Sequence, residues 1–511
     1  MPIAYYGPKT LYTAIMTGNT DLFLIGDSQS THSQYRAMHG FCRNIPATVT
    51  ICGRVSSGDK QSAYDGVRVL DPGAGTATNG TLNLTTATGD SEAAVSWCPQ
   101  DSSQISFSGD HGNTTRVIGY AHAFPDGTGA GNMYLAGDPF LNQRMKGWVC
   151  HRASNATERL VNGRYRRGWY VGGTLVGSID SNVWTMGTGG GLERSPTLIM
   201  AATGYTSSTT ESLEFRAISW AGAVETGGVI QFGCAVMHRV EADDSRSAGL
   251  VFGSCAESSW AASTWNTNFT QAVWQNWFTG VTTGPTQTVI AIMLGHNAET
   301  GDFTTNLTTL MSRLRGACFT ATGAYPKFLL IAPWESDQAN SMDAAKNTAM
   351  KALVGVGTAY GDVACVSLYE AFGAAEPGMV GLHPASNAET DLVWGEMWDQ
   401  IDAAAAAAAP SITSIHPTSK PVGAIGTVTA TGTAFVDGAV LSVDAGMTLG
   451  ATTFNSSTEI QADYNLTAAG TSTITVTNPD AQTDTTTFEV TASVSRAAAT
   501  APPTAMRRRY A

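Results

Sequence analysis

The sequence predicts an α/β domain built on a parallel sheet, interrupted by a β-rich insertion and followed by a separate all-β module. Three observations carry this expectation. Short apolar runs recur, each leading through a turn into a stretch with helical spacing of apolar residues, which is the pattern of strands alternating with helices. Between the first and second of these units the texture changes to strand-like runs punctuated by Gly, Asn, Asp and Ser. Beyond an alanine run closed by Pro410, the chain turns to alternating Thr- and Val-rich segments.

The first unit is DLFLI (21–25), ending in Gly26-Asp27-Ser28, after which THSQYRAMHGFCRNI continues as a predicted helix. GLVFG (249–253) opens the second unit, followed by ASTWNTNFTQAVWQNWFTGV at helical spacing and then the strand TVIAIMLG (288–295). KFLLIAP (327–333) opens the third, with the helix MDAAKNTAMKALVGVG and the strand DVACVSLY behind it. From about 65 to 247, runs such as SQISFSG, TRVIGYAHAF, RRGWYVGGTLVGSI and GVIQFGCAVMHRV suggest an inserted β-sandwich. The helix DLVWGEMWDQID runs into Ala403–Ala409 and stops at Pro410. The boundaries that follow are 1–64 and 248–409 for the two parts of the α/β domain and 65–247 for the insertion. A C-terminal β-sandwich takes 410–492, and 493–511, SRAAATAPPTAMRRRYA, is expected to be a flexible tail with almost nothing to bury.

At 511 residues the chain is long enough for two or three domains. Its 28 basic against 41 acidic side chains give a formal charge of −13, which repels a phosphate backbone and argues against nucleic-acid binding by the body of the chain. Arg507, Arg508 and Arg509 alone run against this balance. The eight cysteines are dispersed, with no C-x-x-C pair and no zinc-ligand spacing, so no metal is expected and the thiols read as buried small side chains rather than a disulfide framework. The opening MPIAYYGPKTLYTAIM lacks a basic start followed by an apolar run, so no signal peptide is expected. No stretch reaches the roughly 18 apolar residues of a membrane span.

The chemistry concentrates in three places. A serine hydroxyl needs a base of near-neutral pKa and donors for the oxyanion that forms on the carbonyl it attacks. Ser28 lies just past a strand at a turn, where a nucleophile is exposed yet held. His383, in Gly381-Leu382-His383-Pro384, supplies an imidazole that titrates in the right range. Asn297, in Gly295-His296-Asn297 after a strand, offers an amide as oxyanion donor. Taken singly, a G-D-S tripeptide or a His-Pro is a common turn; it is their order that points to a site.

That order resembles the SGNH (GDSL-like) hydrolase family, whose blocks carry Ser in G-D-S, an oxyanion Gly, Asn in G-x-N and a late His. The resemblance covers about 20–60 and 248–402. It implies a flavodoxin-like three-layer α/β/α fold, a serine carboxylic-ester hydrolase activity, Ser28 and His383 as catalytic residues, and Ser28, Gly253 and Asn297 as oxyanion donors. Two glycines compete for the second block: Gly53 in TVTICGRVSSG lies nearer Ser28, whereas Gly253 keeps the following strand, helix and strand intact and is preferred. Where the family has Asp three residues before the His, this chain has Val380, which leaves Glu376 or a backbone carbonyl to orient His383, or an inactive site. Asp27 reads as ordering the turn and His296 as lining the pocket or packing beside it. His32 and His39 read as surface or capping residues, and Trp169, Tyr170, Trp184 and Trp220 as core more than sugar platforms.

The segment PSITSIHPTSKPVGAIGTVTATGTAFVDGAVLSVD, with TSTITVTNPDAQTDTTTFEVTA after it, resembles an IPT/TIG immunoglobulin-like domain, a binding or spacer module. An esterase joined to such a module resembles a bacteriophage virion protein on the host-facing surface of the particle. This implies O-deacetylation of an acetylated surface polysaccharide, no cofactor, other virion proteins as partners, and homo-oligomerisation left open. The alternatives are a non-enzymatic virion structural or adhesion protein on a degenerate hydrolase scaffold, and a cellular lipase or arylesterase.

Overall fold

The computed structural model describes residues 4–27, 30, 44–46, 49–57 and 240–493 except 258, 336–341, 373–386, 407–408, 437 and 480–481; between 67 and 239 it describes the strands, with 143–144 and 197. Its contacts divide the chain into two compact units, Met1–Ala406 and Ala407–Ala511.

The larger unit is organised by a mixed sheet of 14 strands among the described residues. Six of them are parallel: β2 (Thr20–Gly26), β3 (Ile51–Ser57), β6 (Leu250–Ala256), β7 (Gln287–Met293), β8 (Lys327–Ala332) and β9 (Gly361–Ser367), in the spatial order β3-β6-β2-β7-β8-β9. Every residue of β2 and β6 is buried, as expected of parallel strands covered on both faces and written as near-continuous apolar runs. On one face the helices α2 (Ala262–Asn268), α3 (Gln271–Val281), α4 (Phe303–Thr322) and α5 (Ala344–Lys351) carry a cluster in which Trp265, Trp274, Trp277, Phe278, Leu307 and Leu314 meet Phe23, Ile25, Ile290 and Ile292 of the strands. α4 begins at Asp302, whose carboxylate accepts from the Thr305 N–H at 2.7 Å, and ends at Gly323 in the left-handed region at φ 79°. The helices α1 (Lys9–Thr17) and α6 (Asn387–Ala406) pack on one another and on the strands, and their buried Leu11, Ile15, Trp394 and Trp398 lie outside that cluster.

The sheet does not stop at its parallel strands. β1 (Tyr5–Tyr6) adds antiparallel to β9, and on the far side β5 (Thr226–Arg239) pairs antiparallel with β3 and then with β4 (Met145–Ala153). The β-rich segment expected as an inserted sandwich therefore extends the sheet of the α/β part, with Trp148, Cys150, Cys234 and Val236 in the same core cluster as the helices. Gly80–Thr86, Ser103–Gly109, Glu193–Arg194 and Leu198–Met200 join that same sheet, whereas Val67–Arg68, Val117–His122, Arg164–Val171, Thr174–Leu175, Trp184–Thr185 and Leu213–Ser219 make a separate six-stranded sheet. Cys52, Cys150, Cys234, Cys255, Cys318 and Cys365 are free buried thiols.

The smaller unit is a β-sandwich. One sheet runs Ser411–His416, Ile425–Thr433, Glu459–Leu466, Met447–Ser456, and the other Ser419–Pro421, Thr483–Thr491, Gly470–Thr477, Val440–Val443. Strict alternation in Glu459–Leu466 and Gly470–Thr477 sends Ile460, Ala462, Tyr464, Leu466, Ile474 and Val476 inward, where they meet Val428, Phe488 and Val490. Among the described residues no helix is long and apolar enough to cross a membrane.

Candidate functional site

In a parallel sheet the strand order reverses direction at one point, and the crevice beyond the carboxyl ends of the strands there is the usual place for a ligand. Here the chain leaves β2, forms β3 and later β6 on one side, and returns to β7 on the other, so the reversal falls at the end of β2. Gly26 closes β2, in register with Ala256 of β6 and Met293 of β7, and the loops after all three converge on it.

Asp27 follows Gly26 and is 1% exposed. The chain turns back at once, with the Ser30 N–H donating to the Asp27 carbonyl at 2.9 Å. A Cβ at Gly26 would collide with the Ser30 side chain, so only glycine permits this return. From the loop after β7, the Asn297 amide reaches across: its Nδ2 donates to Asp27 Oδ2 at 3.0 Å and to the Trp260 carbonyl at 3.2 Å. The G-D-S and G-x-N blocks, 270 positions apart, are thus joined through Asp27 and Asn297. His296 is buried with its ring edge-on to Trp334, centroids 5.2 Å apart. Gly295, at φ 139°, brings the loop close to Met342, and the Lys346 ammonium donates to its carbonyl at 2.8 Å. Burial pulls the Lys346 pKa below the usual lysine value.

The loop after β6 is held against the same place. The Glu257 N–H donates to the Gly26 carbonyl at 3.3 Å, and the Trp265 indole to the same oxygen at 3.2 Å. Glu257 is buried, and Ser259 sits in the left-handed region at φ 65°, a conformation a non-glycine residue adopts at a cost.

Gly253 is not part of this edge. It sits inside β6 opposite Phe23 and Val55, three residues before the strand ends, about 10 Å short of the site at about 3.3 Å per residue. Its missing side chain has a packing reason, since a Cβ there would press on Val55 at 2.9 Å and on Phe23 at 3.2 Å. Gly53 lies opposite Val251 and His238, further still from the carboxyl end. Neither glycine reaches the oxyanion position expected of it, because β6 continues through Ser254, Cys255 and Ala256 as buried strand. Ser28, Glu376, Val380 and His383 lie outside the described residues, as do His32 and His39. Sequence reading passed over Glu257, Trp260, Glu299, Trp334 and Lys346. The lone signal for the first four was a place just beyond a strand end; Lys346, inside α5, had none.

Residues 410–490 match the IPT/TIG domain model, and the C-terminal sandwich is an IPT/TIG domain. No curated protein matches the chain. Among solved structures, the chain is similar to protein YXIM of Bacillus subtilis at 11% identity and a TM-score of 0.24, over 69% of this chain and 98% of that one. It is similar to a family two carbohydrate esterase from Cellvibrio japonicus at 10% identity and a TM-score of 0.20, over 63% and 98%. A cyclase from Fischerella sp. aligns at 10% identity and a TM-score of 0.18, over 39% and 80%.

Proposed function

We propose that the larger unit is an SGNH-type serine esterase, with a flavodoxin-like core in which Ser28 attacks an ester carbonyl and His383 takes and returns the proton. The observation that carries this reading is the hydrogen bond from Asn297 to Asp27 at the point where the strand order reverses. It brings the loop that bears Asn297 against the turn that opens at Asp27. With β3 set aside on the outer side of β6, the remaining parallel strands β6-β2-β7-β8-β9, numbered in chain order, read 2-1-3-4-5, which supports the same fold.

Each group has one task. Ser28 Oγ adds to the acetyl carbonyl as its proton passes to the His383 imidazole; the imidazolium then protonates the departing alcohol oxygen, and water repeats the sequence to release acetate. The oxyanion draws on the Ser28 backbone N–H and on the Asn297 amide. Both hydrogens of that amide are engaged in the free protein, and the longer bond, to the neutral Trp260 carbonyl, is the one a charged oxygen displaces. Asp27, accepting from the amide, sets its orientation. The substrate class proposed is an O-acetylated surface polysaccharide, and the setting a phage virion with the IPT/TIG domain as its binding or spacer module.

The test is hydrolysis of 4-nitrophenyl acetate by the full chain. S28A and H383A each abolish turnover, and the double variant is hardly worse than either alone. A wild-type rate in S28A overturns the assignment. A second reading, a non-enzymatic virion scaffold, draws on Val380 standing where the family has Asp. It is favoured if the wild-type chain releases no acetate from acetylated glycans or from the small ester.

A further inference from the structure

We propose that Glu299 is a positioning residue for Asn297, a clamp that fixes the loop after β7 to the loop after β6 and so pre-sets the oxyanion donor. This rests on the esterase reading above. The argument starts from α2, whose first amides have no partner within the helix and whose N-cap position is Ala261, with no side chain to accept from them. Glu299, from the loop after β7, supplies what Ala261 lacks. Its Oε1 accepts from the Ala262 N–H at 2.9 Å and its Oε2 from the Ser263 N–H at 3.0 Å. The negative charge also suits the positive end of the helix.

The same carboxylate is tied to its own side of the cleft, because Asn306 Nδ2 donates to Oε2 at 3.0 Å and to the Thr300 carbonyl at 3.0 Å. Ser263 Oγ accepts from the Thr300 N–H at 3.1 Å, and Asn266 Nδ2 donates to the Asn306 carbonyl at 2.8 Å. These bonds bracket Asn297, whose amide in the free protein also reaches the carbonyl of Trp260, two residues before the amides Glu299 holds. At the loop's other end Lys346 grips the Gly295 carbonyl. Asn297 is therefore carried on five residues held at both ends, and the carboxylate is the member that spans the two loops. An oxyanion donor is effective only if it is already aimed when charge develops, so loosening this clamp affects kcat more than KM.

The experiment is a double-mutant cycle on the full chain with 4-nitrophenyl acetate. E299Q keeps the shape but sets an NH2 group against one of the donors, and it lowers kcat about tenfold with KM within about twofold. N297A lowers kcat on the order of 10² to 10³, and E299Q adds nothing in the N297A background. Wild-type kcat in E299Q, or losses that multiply in the double variant, overturns the proposal. S28A separates this from the underlying reading. Ser28-dependent hydrolysis that E299Q leaves intact removes the clamp alone, whereas hydrolysis absent from the wild-type chain removes both. Circular dichroism of E299Q checks that the fold is retained, and if it is not, the cycle is run with E299D, whose shorter arm reaches only one side.

Discussion

His238 lies at 2% exposure in β5, with Nδ1 3.0 Å from the Arg239 carbonyl and its ring edge-on to Trp148. Burial, aided by the nearby charges of Arg246, Lys146 and Arg194, pushes its pKa down from 6.5 to about 4, against the pull of the Arg239 carbonyl. Between those values the unfolded chain binds a proton that the folded chain refuses, so stability is full above 6.5 and is lost as pH falls toward 4. The loss is on the order of 3 kcal/mol, from about 1.36 kcal/mol per pKa unit. Denaturant midpoints at pH 7 and 4.5 therefore differ less in H238Q than in the wild-type chain. Equal differences would show that this imidazole is not the group at work. At the same scale, the positions of Asp27 and Asn297 just beyond strands follow from the apolar runs the sequence displays before them. Gly253 was not: Ser254, Cys255 and Ala256 look like the start of a turn but are buried strand, and the glycine answers to Phe23 across the ladder.

Helices and strands were easier to read than their partners. The alternation of apolar runs with helical spacing is set within each segment, and β2, β6, β7, β8 and β9 stand where that alternation puts them. What a segment pairs with is not written in its own period. An antiparallel strand such as β5 has the same alternation whether it closes a separate sandwich or extends the neighbouring sheet, and here it does the latter through β3. The packing of α3 gives this scale its prediction. Trp277 is fully buried, 4.8 Å from the Phe23 ring at the centre of β2 and 5.0 Å from Phe278. Truncating it opens a cavity between helix and sheet, so W277A lowers the unfolding free energy by about 3–5 kcal/mol. The check is a urea midpoint shift at unchanged slope; a loss under about 1 kcal/mol would mean the cluster collapses to fill the space.

The whole molecule divides between Ala406 and Ala407, inside the alanine run. The reason lies in the two cores. The cluster beneath the parallel sheet draws on residues from Phe23 to Cys365, and that of the IPT/TIG domain on residues from Ile415 to Val490, with no residue in common. Each closes on itself, and a run of alanines offers little apolar surface to couple them. The IPT/TIG module was legible because its inward residues alternate cleanly and its turns are marked, whereas the larger unit needed long-range pairing to be seen. Cutting the chain after Ala406 therefore leaves the larger unit with its own cooperative transition, since its core cluster draws on no residue beyond Cys365. The piece 407–511 folds alone as a sandwich whose small core makes it the less stable of the two. Calorimetry of the full chain shows two transitions, and each fragment reproduces one of them within a few degrees. Turnover of 4-nitrophenyl acetate, on the esterase reading, stays with 1–406. A single transition in the full chain, with both fragments melting far below it, would show that the units stabilise one another and that the separation of the cores is not the whole account.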